Sequence, residues 1–186
     1  MNRPAADGLS FAVIPENEMT VDLDRAIRDV LVACFPKDAG HFSRQRWWHS
    51  PHQWSVLAIT VEGVIVGGMC VVERTVTAGG CGIPVAGIGN VCTLPEWRGQ
   101  GVIDTVMAAA LAEAGKHSLE AGLLFCKPVL EKVYARMGWT AVDGTVCMTD
   151  ADGGMTKLPA ENIAMTIPIA IETFPRGDID LRGRDW

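Results

Sequence analysis

At 186 residues, with 48% hydrophobic and 20% charged residues, the chain has the composition of one globular domain large enough to bury a core. A formal net charge of −6 argues against nucleic acid as a partner, because phosphate recognition calls for a basic face. No run of 18 apolar residues marks a membrane span, and the first residues lack an apolar signal-peptide core, so a cytoplasmic protein with no membrane partner is expected.

Residues 1–8 read as a short disordered lead-in and 9–186 as a single domain. Leu9–Ile14 is an apolar run stopped by Pro15, a candidate first strand. Thr20 or Asp22 can cap a helix running to about Phe35, with Leu23, Ile27, Val30, Leu31 and Cys34 on one face and Pro36 ending it. A stretch rich in Trp and His, Gly40 to Trp54, reads as a short helix and a loop. Ser55–Val61 and Val64–Val76 are β-branched runs joined at Glu62-Gly63, a hairpin signal, with a bulge expected at Gly67-Gly68. After a turn at 78–82, Pro84–Leu94 reads as the third strand of a meander.

A helix is expected from Val102 to about Leu119, then a strand at Leu123–Cys126. Val129–Met137 reads as a short helix closed by Gly138, and Trp139–Met148 and Ile163–Ile171 as two late strands. Thr149–Glu161, rich in Asp, Gly and Thr, is expected to be a loose loop. A meander followed by a β-α-β crossover predicts an α/β (α+β) domain whose central sheet is mixed and mostly antiparallel, with helices on both faces. Six cysteines are scattered at 34, 70, 81, 92, 126 and 147 with no Cys-x-x-Cys pair, the pattern of reduced thiols acting as small hydrophobes.

The segment Val91-Cys92-Thr93-Leu94-Pro95-Glu96-Trp97-Arg98-Gly99-Gln100-Gly101-Val102 reads as strand, glycine loop and helix start. Unpaired amides at a helix N-terminus, together with the helix dipole, favour an anion. Glycine at 99 and 101 lets that backbone approach a pyrophosphate without a lysine, and Arg98 can add a charge-assisted contact. The lone tyrosine lies in Val133-Tyr134-Ala135-Arg136-Met137-Gly138-Trp139, downstream of the next strand. His49 and His52 have no third ligand in reach, so no metal is expected.

Together these segments resemble the GNAT superfamily of acyl-CoA-dependent N-acetyltransferases. The resemblance implies a splayed strand pair in a GNAT-like domain and acetyl-CoA as co-substrate, held by Val91, Cys92, Thr93, Arg98, Gly99, Gln100, Gly101, Val102 and Ile103. Ile103 stands where the superfamily pattern has a small residue, a departure shared with aminoglycoside 2′-N-acetyltransferases, and Lys127 stands where many relatives carry asparagine. Backbone groups of 91–93 would bond the pantetheine and the oxyanion, and Tyr134 would protonate the leaving thiolate as general acid. The slot where many relatives carry a basic glutamate falls at Gly89, so deprotonation is left to a water that Asn90 can orient, with Glu73 a weaker candidate. Trp47 and Trp48 can line the acceptor site or pack the sheet edge. The tail, Phe174 to Trp186, resembles those of aminoglycoside 2′-N-acetyltransferases and nodulation N-acyltransferases, which places Trp186 near a substrate amine, although such a tail can also simply dock on the sheet. The acceptor is then a small-molecule or peptide amine, and a homodimer, common in relatives, stays open. Alternatives are an N-acyltransferase with a longer acyl donor, a non-catalytic acyl-CoA sensor, and a nucleotide-binding module, the last disfavoured by the absent Walker lysine.

Overall fold

The computed structural model describes residues 8–186, so the expected lead-in lies outside the described residues apart from Gly8. The described chain forms two compact units. The first comprises the residues up to Val71 together with Asn90–Ala112, and the second comprises Val72–Gly89 with Glu113–Trp186.

In the first unit β1 (Leu9–Pro15) pairs antiparallel with β2 (Trp54–Thr60), from Leu9 opposite Thr60 to Pro15 opposite Trp54. β2 pairs in turn with the start of β3 (Ile65–Ala78). Gly63, at φ +83°, makes the turn of this hairpin, as its glycine predicts. The bulge is real but lies elsewhere: Ala58 pairs with Gly67 and Ile59 with Ile65, which leaves Val66 as the extra residue. Gly67 and Gly68 serve close packing instead. A Cβ on Gly67 would fall 2.7 Å from the Cys92 carbonyl oxygen, and one on Gly68 would fall 2.6 Å from that of Val56.

Helix α1 (Val21–Cys34) starts where its cap predicts, with Thr20 Oγ1 accepting from the Leu23 amide at 3.2 Å. Its apolar stripe, Ile27, Val30 and Leu31, packs with Leu57 and Ile65 of the strands and with Phe42 of the one-turn α2 (Ala39–Phe42). Burying each such aliphatic side chain contributes about 1.5–3 kcal/mol. The end of β4 (Cys81–Thr93) and most of α3 (Val102–Lys116) complete this unit.

The second unit holds the rest of β3 and β4, then β5 (Ala121–Cys126), α4 (Glu131–Ala135), β6 (Thr140–Ala141), β7 (Val146–Thr149), β8 (Met155–Lys157), β9 (Ile163–Pro168) and β10 (Ile179–Asp180). Strand order is β6-β9-β5-β4-β3-β10-β7-β8. The β4–β5 and β10–β7 pairs are parallel, while β9 pairs antiparallel with β5 and β6, as do β10 with β3 and β7 with β8. The β4–β5 ladder runs from Val85–Ala121 to Ile88–Leu124 and stops there, although β5 continues to Cys126. The core is apolar throughout: Val76, Val85, Leu123, Val146, Ile179 and Leu181.

Three expectations are corrected in this unit. The late strand at 139–148 is two strands, β6 and β7, because Thr140–Ala141 pairs with β9 whereas Val146–Thr149 pairs with β8 and β10. The loop at 149–161 contains β8, paired with β7 across a turn whose Asp150 carboxylate accepts from the amides of Asp152 and Gly154 at 2.9 and 2.8 Å. The tail contributes a strand, β10, where none was expected.

Candidate functional site

The glycine loop is built as its sequence predicts. Gly99 and Gly101 have φ of +77° and +80°, the left-handed region that glycine enters without strain. A turn at the start of α3 closes with the Thr105 amide donating to the Gly101 carbonyl at 3.2 Å, so the helix starts directly on the glycine loop. Nothing lies within 4 Å of where a Cβ on Gly99 would stand, so the space over the loop is open. Gln100 Nε2 donates to the Glu96 carbonyl at 2.9 Å and steadies the turn. Val102 is buried beneath the loop and Ile103 is half-buried.

Arg98 turns back toward the preceding strand, where its Nε donates to the Thr93 carbonyl at 3.1 Å. Its charge also reaches Cys34, a residue that periodicity marked only as apolar. A hydrogen bond with the Cys92 thiol, helped by Arg98, lowers the Cys34 thiol to about 7. Cys92 responds in the opposite sense, raised by that same contact and by burial, and so remains a protonated thiol. That state suits Cys92 to a backbone role and not to nucleophilic attack.

Asn90, at φ +51°, donates from Nδ2 to the Arg46 carbonyl at 2.5 Å. Arg46 itself carried no expectation from the sequence. Its side chain is only 2% exposed. Nε donates to Asp24 and Nη2 to Glu16, both at 2.6 Å, and Arg28 bonds the second Asp24 oxygen at 2.8 Å. These partners hold the Asp24 carboxyl below the usual carboxylate range, against the opposing effect of burial. Asn90, Arg46, His52, Ser55 and Cys92 line one cavity with α1 residues and Gly67–Cys70, and its room for the centre of a water molecule is about 20 Å³. Burial, then the nearby Arg46 charge, pushes the His52 imidazole down to about 3.

Trp47 lies against this cluster, edge-on to His52 with ring centroids 6.0 Å apart and under the Arg46 guanidinium at 5.6 Å. Trp48 is more exposed and stacks flat on His41 at 3.8 Å.

In the second unit Tyr134 sits on α4, 7% exposed, with Trp139 edge-on at 6.4 Å. Burial, then the Cys126 charge, pushes its phenol up to about 12. Gly138, at φ +94°, ends the turn as expected, and its amide donates to the Ala135 carbonyl at 3.0 Å. Trp186 lies on the sheet: its ring covers Gly87, tilts against Phe125 at 4.9 Å and takes the Arg74 guanidinium at 5.3 Å. Glu73 Oε1 accepts from His117 Nδ1 at 2.8 Å.

A family model described as an acetyltransferase (GNAT) domain matches residues 19–142. The chain belongs to the GNAT acetyltransferases and is thereby an enzyme of the acyltransferase class. Its fold is that of a GNAT family N-acetyltransferase (YhbS) from Escherichia coli in complex with CoA, with a TM-score of 0.64 and 17% identity over 94% of this chain and 89% of that one. Escherichia coli ElaA is similar with a TM-score of 0.61 and 14% identity over 85% of this chain and 98% of the other. So is a GNAT family acetyltransferase from Brucella melitensis in complex with acetyl-CoA, with a TM-score of 0.56 and 18% identity, covering 91% of this chain and 94% of that chain. No curated protein matches the sequence significantly.

Proposed function

We propose that this enzyme transfers the acetyl group of acetyl-CoA directly to the nitrogen of a primary amine. The observation that carries the reading is the Arg98–Val102 loop: two left-handed glycines, open space over Gly99 and the N-terminus of a 15-residue helix directly after them. The pyrophosphate binds there, and backbone groups of Val91, Cys92 and Thr93 hold the pantetheine arm and the oxyanion. Support comes from the similar enzymes that carry CoA or acetyl-CoA.

The amine nitrogen forms a bond to the thioester carbon, and collapse of the intermediate breaks the carbon–sulfur bond. Tyr134 donates to the sulfur as it leaves. With its phenol raised to about 12, Tyr134 keeps its proton across the neutral range and acts as a donor, never as a base. The amine loses its proton to water ordered at Asn90. Aminoglycosides belong in the first acceptor screen because of the resemblance of the tail.

Calorimetry with acetyl-CoA, with ATP as control, tests the donor, and steady-state kinetics of Tyr134→Phe tests the acid. The expected outcome is pantetheine-dependent binding in the wild type. In the variant kcat falls by roughly 10²–10⁴ with little change in coenzyme affinity. Binding without turnover on any amine would make the chain a sensor, and absence of binding would remove the transferase reading.

A further inference from the structure

Two of the six cysteines meet in the first unit. Cys34 closes α1, Cys92 lies near the end of β4, and their thiols are hydrogen-bonded to each other within one packed cluster. Cys92 is only 8% exposed, whereas Cys34 is half-buried. The carbonyl end of a helix opposes a thiolate, and so does burial, yet the Cys34 thiol is lowered to about 7. The donors that outweigh them come from β4 and the loop after it: the Cys92 thiol first, then the Arg98 guanidinium and the Thr93 amide. A partly exposed sulfur beside a fixed positive charge has the surroundings of a reactive thiol, and a second sulfur in contact with it stands where a resolving thiol must stand.

The same contacts set an order between the two sulfurs. In the resting pair the hydrogen bond to Cys34, then burial, then the Cys34 charge keep the Cys92 proton in place, so Cys34 alone is the nucleophile. Oxidation turns the Cys34 thiolate into an uncharged sulfenic acid. The negative sulfur that held the Cys92 proton is then gone, and Cys92 can lose that proton to the departing oxygen. Acetyl transfer uses neither thiol, since Cys92 is assigned there to its backbone.

We propose that Cys34 and Cys92 form a peroxide-reactive pair, in which Cys34 is the site of oxidation and Cys92 resolves it to a disulfide that ties the end of α1 to β4. The Cys34 sulfur attacks one peroxide oxygen; an S–O bond forms, the O–O bond breaks, and the hydroxide released is protonated to water. The Cys92 sulfur then attacks the Cys34 sulfur; an S–S bond forms, the S–O bond breaks, and the leaving hydroxide departs as water with the Cys92 proton. The two thiols lose two electrons in all, and one peroxide is reduced to two waters. Closing the two sulfurs to bonding distance draws Cys92 toward α1 and shifts the Val91–Thr93 backbone, so oxidation lowers acetyl transfer. Only this last consequence rests on the transferase reading.

The test treats the reduced full chain with hydrogen peroxide at neutral pH and maps its peptides by mass spectrometry. The expected product is a peptide pair joined through Cys34 and Cys92, lighter by two hydrogens than its separate parts and released by dithiothreitol. The exposed Cys81 controls for access alone, and Cys34 is expected to react roughly fivefold faster or more. In Cys92→Ala the oxidation stops at Cys34, where a 1,3-diketone probe traps the sulfenic acid, and Cys34→Ser leaves Cys92 unlinked. Transfer by the oxidised wild type falls by roughly tenfold or more and returns with dithiothreitol, whereas Cys34→Ser keeps its turnover under peroxide. Absence of the Cys34–Cys92 link overturns the pair, and so does oxidation of Cys81 ahead of Cys34. A link that leaves an active enzyme at full turnover overturns the effect on transfer. A link in a chain that neither binds coenzyme nor transfers acetyl supports the pair and removes the transferase reading. Should Cys92→Ala fail to fold, the wild-type link and Cys34→Ser decide alone.

Discussion

The two units solve the burial problem in opposite ways. The second is held chiefly by apolar contacts at its centre, with Val76, Val85 and Leu123 almost fully buried, and its buried polar atoms without partners are the indole nitrogens of Trp139 and Trp186. The first buries a guanidinium, two carboxylate edges and an imidazole among its aliphatic residues, and leaves some of those atoms without partners. An apolar core is indifferent to what is bound nearby. A buried polar network is costly when incomplete.

Breaking the ion network is the strongest way to test that contrast. Asp24→Ala leaves Arg46 buried with half its counter-charge and is expected to cost about 3–5 kcal/mol, read as a lowered urea midpoint with unchanged slope. In the second unit the sensitive point is purely steric. A Cβ at Gly87 would stand 2.4 Å from the Trp186 ring, so Gly87→Ala should cost up to about 3 kcal/mol, and less in a Trp186→Ala background, as a double-mutant cycle would show.

Acid sharpens the comparison further. Unfolded, His52 takes up a proton near pH 6.5, whereas folded it does so only near 3. The unfolded state therefore binds more protons between those values, and stability falls as pH drops through this window. From pH 7 to pH 5 the loss is roughly 2 kcal/mol, and it should vanish from the corresponding difference in His52→Leu. A pH-independent difference between the two proteins would mean that His52 titrates normally.

Sequence alone revealed what local chemistry dictates. The α1 start at Thr20, the turn glycines at 63, 99 and 101, and the Gly138 stop each depend on a backbone geometry that few residues satisfy. What stayed hidden depended on distant partners. Arg46 meets Glu16 and Asp24 across 30 and 22 positions, and nothing in its own neighbourhood announces a buried guanidinium. β10 forms because Ile179 and Asp180 find β3 and β7, a pairing that two residues cannot advertise. The glycine pair at 67–68 suggested a bulge when its task is to let strands approach, since the same absent Cβ serves either purpose.

Neither unit is a continuous piece of chain, and this bears on how the protein is made. Its first unit needs residues up to Val71 and then Asn90–Ala112. A ribosome must therefore release the whole of Val72–Gly89 before that unit can close. Those strand residues wait longer still, because β5 and β9, which complete their own sheet, are synthesised later. The nascent chain thus carries apolar β-strand with unpaired edges for much of its synthesis, the interval in which aggregation competes with folding. A cut at a single point within 72–111 severs both units, so neither can be obtained as a simple fragment of the gene product.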